Sequence, residues 1–258
     1  MKSPTVALVS LLIVAGAQAA PLENEYRGYR IDLSEIAGHK AFNEIESALR
    51  HQLDIVENVG LSPRVLKFFR TIPIEVDQFA CMGDNQIAGG KRPSRNAACY
   101  EETSGPRSSG DSVFAVWDSQ KSQWTASAQE RLTRTTAPLS GIVSVRVDLS
   151  RSSRRPVMLH EMLHAYHAKV LPAGFKNPSI LVYYKEAKDR ALYPADAYLM
   201  TNEREFFAVT ASVFLYGEDG PRQRSELQKQ QPEYYQHLVW MFGFDPDRNL
   251  NVAMADKP

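Results

Sequence analysis

Apolar positions along this chain repeat with two different periods, and the switch between them outlines the architecture. Between residues 39 and 60, HKAFNEIESALRHQLDIVENVG sets Phe42, Ile45, Leu49, Leu53 and Val56 three or four positions apart. That spacing places them on one helical face, and Gly60 offers a stop. SPRVLKFFRT reads as a second, short helix with Pro63 in its first turn. The period then shortens. IPIEVDQF, SVFAVWD (112–118) and GIVSVRVDL (141–149) predict strands. In the last of these Val143, Val145 and Val147 alternate with Ser144, Arg146 and Asp148, the pattern of a strand wet on one face. Residues 83–111 are rich in Gly, Ser, Pro and Arg and read as loop. From Pro156 the pattern is helical again to about Gly243. Helices, a few strands, then helices predict an α+β fold, with helices on one side of a small sheet.

The helix that opens this second half carries the chemistry. In RRPVMLHEMLHAYHAKVLP, Pro156 suits a first helical turn and Pro172 marks the end. Leu159, Leu163, Tyr166 and Val170 form an apolar stripe that should face the core. At about 100° per residue, His160 and His164 fall on a neighbouring face, one turn apart. Two imidazoles at i and i+4 can converge on one metal ion with bonds of about 2.0–2.1 Å. Glu161 points further round, where it cannot join both histidines as a ligand but can reach a water on the metal. His-Glu-x-x-His thus offers two ligands and a base. The alternative is a helix whose His and Glu side chains merely face solvent. His167 faces nearly the same way as His160 but lies about 10.5 Å further along the axis, too far to share the ion. It reads as a polar residue near a cleft.

A catalytic zinc has three protein ligands and one open position. Downstream, AYLMTNEREFFAVTASVFLYG predicts a helix from Asn202, with Glu203, Arg204 and Glu205 in its first turn and Phe206, Val209, Val213 and Leu215 as its apolar face. Glu203 or Glu205 could supply the third ligand. Glu205 also stands at capping-box spacing from Asn202, so spacing alone leaves its role open.

HEMLH followed about forty residues later by YLMTNEREFFA resembles the catalytic domain of the lethal-factor-like zinc metallopeptidases, zincins that include clostridial proline-directed endopeptidases. LQKQQPEYYQHL is similar to the closing helix of that family, and the resemblance spans roughly residues 155–244. It implies a zincin-like α+β domain with a small twisted mixed sheet, an active-site helix and a mostly helical C-terminal half. It implies Glu205 as the third zinc ligand beside His160 and His164, Glu161 as the base, and Tyr198 as a residue assisting catalysis. One departure stands out: the family segment often continues Glu-Phe-Phe-Ala-Glu, whereas Val209 follows Ala208 here. A carboxylate that would orient a zinc histidine is then missing or comes from elsewhere.

Composition narrows the setting. With 30 basic and 30 acidic residues in 258, nothing favours nucleic acid or an anionic membrane as the main partner. MKSPTVALVSLLIVAGAQA has the basic start, short apolar middle and small-residue exit of a secretory signal over residues 1–19, too short to span a bilayer. The expectation is an exported protein, extracellular or periplasmic, whose residues 20–258 form a single domain: N-terminal helices and sheet to about 150, then a metal-binding helical half. The two cysteines, Cys81 and Cys99, suit a disulfide in that compartment, worth about 3 kcal/mol in the chain-entropy model. They cannot make a four-thiolate site, so one Zn2+ would rest on His and carboxylate. The expected function is a monomeric secreted zinc endopeptidase that binds extended peptide beside an edge strand, with residues 141–149 as that strand. Two rivals are a zinc hydrolase of non-peptide amides and a secreted binding or toxin-type protein with a structural zinc.

Overall fold

The computed structural model describes residues 23–76, 81, 98–102, 113–118, 123–128, 141–147, 149, 155–247 and 250–251. The proposed signal (1–19) and most of the 83–111 segment lie outside them.

The described part begins with a hairpin that periodicity did not reveal. Strands β1 (Glu23–Tyr26) and β2 (Tyr29–Asp32) pair antiparallel around Arg27 and Gly28. Both turn residues have positive φ, 51° and 83°, the twist that a two-residue hairpin requires. Helix α1 (Phe42–Asn58) follows. Ile45, Leu49, Leu53 and Val56 are buried as expected, and the chain turns out of the helix at Gly60, φ 86°, where a Cβ would stand 2.7 Å from the Phe244 ring. Helix α2 (Pro63–Phe69) is capped by the Ser62 side chain with Pro63 in its first turn. Tyr29 and Arg70 both donate to the Glu57 carboxylate, tying the hairpin, α1 and α2 together.

A five-stranded mixed sheet has the order β1-β2-β3-β7-β4, with β3 (Ile74–Val76), β4 (Ala98–Glu101) and β7 (Ile142–Val145). Strands β2, β3 and β7 are parallel, while β4 runs antiparallel to β7 at the edge. Two expectations change here. Residues 142–145 are buried throughout, Ser144 included, so this strand is not wet on one face. In register, Glu75 pairs with Ser144 and Ser144 with Cys99; paired residues share a face of the sheet. Ser144 Oγ donates to Glu75 Oε1 at 2.7 Å, and the Cys81–Cys99 disulfide lies on the same row. That hydrogen bond offsets part of the cost of burying the two polar side chains. Second, β7 is paired on both sides, so it cannot accept a further strand. Among the described residues the outer strand on that side is β4, inside the segment whose composition reads as loop. Strands β5 (Val113–Asp118), expected, and β6 (Gln123–Ala128), not expected, form their own antiparallel hairpin.

The helical half contains α3 (Val157–Lys169), α4 (Pro178–Asp189), α5 (Glu203–Tyr216), α6 (Arg224–Gln230) and α7 (Pro232–Phe242). The single closing helix suggested by residues 227–238 is two helices, because Pro232 opens α7 at its first turn. A small hairpin, β8 (Glu218–Asp219) with β9 (Arg222–Gln223), interrupts the helical run, and the pair β10 (Phe244–Asp245) with β11 (Leu250–Asn251) follows it. Helix α3 is the centre of the core, with α5, α1, β4 and α2 packed on it. It is buried all round from Met158 to His167, not along one stripe, and Val170 at its end is 38 % exposed. A helix enclosed on every side has to bury its polar residues too, so each needs a partner. No helix among the described residues is long and apolar enough to cross a membrane.

Candidate metal centre

Position within α3 is set from its first turn. Gln52, fully buried on α1, donates from Nε2 to the Arg155 carbonyl at 2.8 Å and accepts the Met158 N–H at 3.2 Å. A side chain from a distant helix thus satisfies backbone groups at the helix start. One turn on, His160 and His164 turn their Nε2 atoms toward each other, 3.1 Å apart.

The third corner comes from α5. Asn202 is its N-cap: its side-chain oxygen accepts the N–H groups of Arg204 and Glu205 at 2.9 and 3.0 Å. The Glu205 carboxylate is left to point at the histidines, with Oε2 3.2 Å from His160 Nε2 and 3.4 Å from His164 Nε2. The capping role is taken by Asn202, and Glu205, not Glu203, meets the pair. Glu205 Oε2 is buried without a hydrogen bond. Three lone-pair atoms facing one another at 3.1–3.4 Å repel unless a proton or a cation lies among them. A tetrahedral ion with bonds of about 2.0–2.1 Å requires ligand separations of about 3.3 Å, so the donor set and its spacing fit a zinc-sized ion.

Electrostatics agree. Burial works to lower the pKa of His160, yet it is raised, because Glu205 and the charges of Glu161 and Asp219 favour the cation. Burial would raise Glu205, but the two imidazoles hold its carboxyl well below the usual range. The corner therefore favours positive charge in its middle.

Glu161 lies beside the triangle: its carboxylate and the two imidazoles are within 4.8 Å of one another. Its Oε2 accepts the backbone N–H of Tyr100 at 2.8 Å, which ties the carboxylate to edge strand β4. Gly141, φ 80°, lets the Tyr100 ring close over the backbone, since a Cβ there would stand 2.4 Å from the phenol oxygen. Tyr198 stands in the 3-10 turn Tyr198–Met200 before α5. The residue is 46 % exposed, and its ring lies 6.1 Å from the His160 ring. Desolvation and the charges of Glu205 and Glu161 push its pKa well above the ordinary tyrosine value. Glu161, His164, Tyr198 and Glu205 line a cavity of about 210 Å³ with Ala98, Cys99, Tyr100, Phe175 and Arg204.

Three site details differ from or add to the sequence reading. His167 is not near the cleft surface: it is fully buried against Phe175 and Phe207. Edge strand β4 went unrecognised; the apolar-polar run ACYE beside a cysteine is too short a signal. Asp219, also missed, is a buried carboxylate whose Oδ2 lies 3.8 Å from His160 Nδ1. No spacing rule links a two-residue strand to a helix sixty residues earlier.

No family model matches the sequence, and no curated protein does. Among solved structures, the chain is similar to a Pro-Pro endopeptidase (PPEP-2) from Paenibacillus alvei, at 19% identity over 78% of this chain and 92% of that one, with a TM-score of 0.41.

Proposed function

We propose that this protein is a zinc-dependent endopeptidase, with His160, His164 and Glu205 holding one zinc ion and Glu161 acting as general base. The observation that carries the reading is the triangle of two imidazole nitrogens and an orphaned carboxylate oxygen, 3.1–3.4 Å on a side, with a second carboxylate next to it. Zinc in such a site supplies a Lewis acid that acidifies water and polarises a carbonyl. Glu161 takes the proton from the attacking water and delivers it to the departing amine. Tyr198 stays protonated because its pKa is raised, so it serves as a donor toward the oxyanion that develops on the scissile carbonyl. An extended peptide lies beside β4, whose backbone reads backbone while the cavity reads side chains. Having three protein ligands favours a catalytic site over a structural one, which closes with four. The protein is exported as a monomer: residues 1–19 form the signal, residues 20–258 form one zincin-like domain, and the Cys81–Cys99 bridge suits an oxidising compartment.

The test compares wild type with Glu161→Gln. Each protein is assayed for zinc content and incubated with a mixed proteome, and new N-termini are sequenced. The expected result is about one zinc in both proteins, with peptide-bond cleavage by wild type falling at least about 1,000-fold in the variant, at the upper end of acid–base effects. Cleavage that survives the substitution, or wild type without zinc, rules the reading out. Zinc with no new N-termini would point to a different amide substrate.

A further inference from the structure

A histidine that gives one ring nitrogen to a metal needs the other held as a donor, because neutral imidazole has one N–H and one lone pair. His160 meets a specific group on that side. Asp219, 4 % exposed, turns Oδ2 toward Nδ1 at 3.8 Å. Its other oxygen, Oδ1, accepts from Arg155 Nε at 3.1 Å and Nη2 at 2.9 Å. Arg155 is itself anchored through its carbonyl to Gln52, two residues before α3 begins. Asp219 thus reaches the centre from the β8–β9 hairpin, while position 209 on α5 holds an apolar, buried valine.

We propose that Asp219 is the positioning residue of this centre: it holds His160 as the Nδ1–H tautomer with Nε2 aimed at the metal position, and Arg155 orients the Asp219 carboxylate. The inference rests on reading His160, His164 and Glu205 as metal ligands. At 3.8 Å the contact is longer than a hydrogen bond and acts through charge: a carboxylate, which can only accept, favours the N–H on the nitrogen it faces and leaves the lone pair on Nε2. Removing the carboxylate frees both the tautomer and the ring torsion, a loss that typically weakens metal binding about 10–100-fold.

The experiment measures zinc affinity of the full chain by competition with a chromophoric chelator, and the tautomer of His160 in zinc-free protein by nitrogen-15 imidazole spectra, at a pH alkaline enough to keep the ring neutral. Asp219→Asn should weaken zinc binding about 10–100-fold and turn the Nδ1–H spectrum of His160 into a mixture, with partial recovery in Asp219→Glu. Arg155→Gln, at a largely exposed side chain, should shift both readouts in the same direction by less; it decides the matter if the Asp219 variants do not fold. Zinc affinity within about twofold of wild type and an unchanged tautomer overturn the proposal while leaving the metal site intact. Failure of wild type itself to bind zinc overturns the metal reading, and the proposal with it.

Discussion

His160 and His167 project from nearly the same face of one helix, yet they meet opposite surroundings. His160 is ringed by Glu161, Glu205 and Asp219, which raise its pKa. His167 packs between aromatic rings, and neither of its ring nitrogens has a hydrogen-bond partner. Burial, with help from the charges of His164 and Arg204, pulls its pKa from 6.5 down to about 3. The sign follows from linkage: between those values the unfolded chain takes up the proton and the folded one does not, so stability falls as pH drops below 6.5. With a limiting slope of about 1.36 kcal/mol per pH unit, reached only well below pH 6.5, wild type should lose about 1.6 kcal/mol between pH 6.5 and pH 5 from this residue alone. His167→Leu should remove that loss. Urea unfolding of both zinc-stripped proteins at the two pH values checks it; parallel acid limbs would show that His167 is solvated.

Helix starts do much of the positioning, and they were legible to different degrees. Asn202 before an acidic first turn is a cap written in the sequence, and it caps α5 as expected. What Glu205 does instead of capping depends on where α3 lies, which local spacing cannot encode. The start of α3 is the harder case: Pro156 is its N-cap residue and makes no side-chain cap, and the stabilising group is Gln52 from α1. Gln52→Ala would leave the Arg155 carbonyl and the Met158 N–H without this partner. The Arg155 carbonyl keeps the Val157 N–H, so one buried group, the Met158 N–H, is left unsatisfied, and the expected cost is about 1–3 kcal/mol, read as a lower urea midpoint with an unchanged m-value. A cost below about 0.5 kcal/mol would mean that water replaces Gln52.

At the scale of the molecule, the site is a joint between elements far apart in sequence: α3 brings two imidazoles, α5 a carboxylate, β8 another, and β4 the wall. A cation at that joint links α3 to α5 and should stabilise the fold as a whole. With free zinc at about 100 times its dissociation constant, the gain is about 2.7 kcal/mol. For a domain of this size that is a rise in Tm of about 5–10 °C, lost on adding a strong chelator and restored by zinc. Calorimetry with and without chelator reads it directly, and an identical Tm would mean that no ion bridges the two helices.

The sequence by itself determined α1, α2, α3 and α5, Gly60 as the stop after α1, the His-Glu-x-x-His turn and the capping asparagine before α5, because each follows from contacts within a few residues. It could not rank β4 as the edge and β7 as interior, make Ser144 a buried partner of Glu75, sink His167 into an aromatic pocket or bring Asp219 to His160. Those depend on which strands pair and which helices enclose α3. Pairing and enclosure are set by long-range burial of apolar surface, and a polar residue's role changes with the neighbour that burial assigns to it.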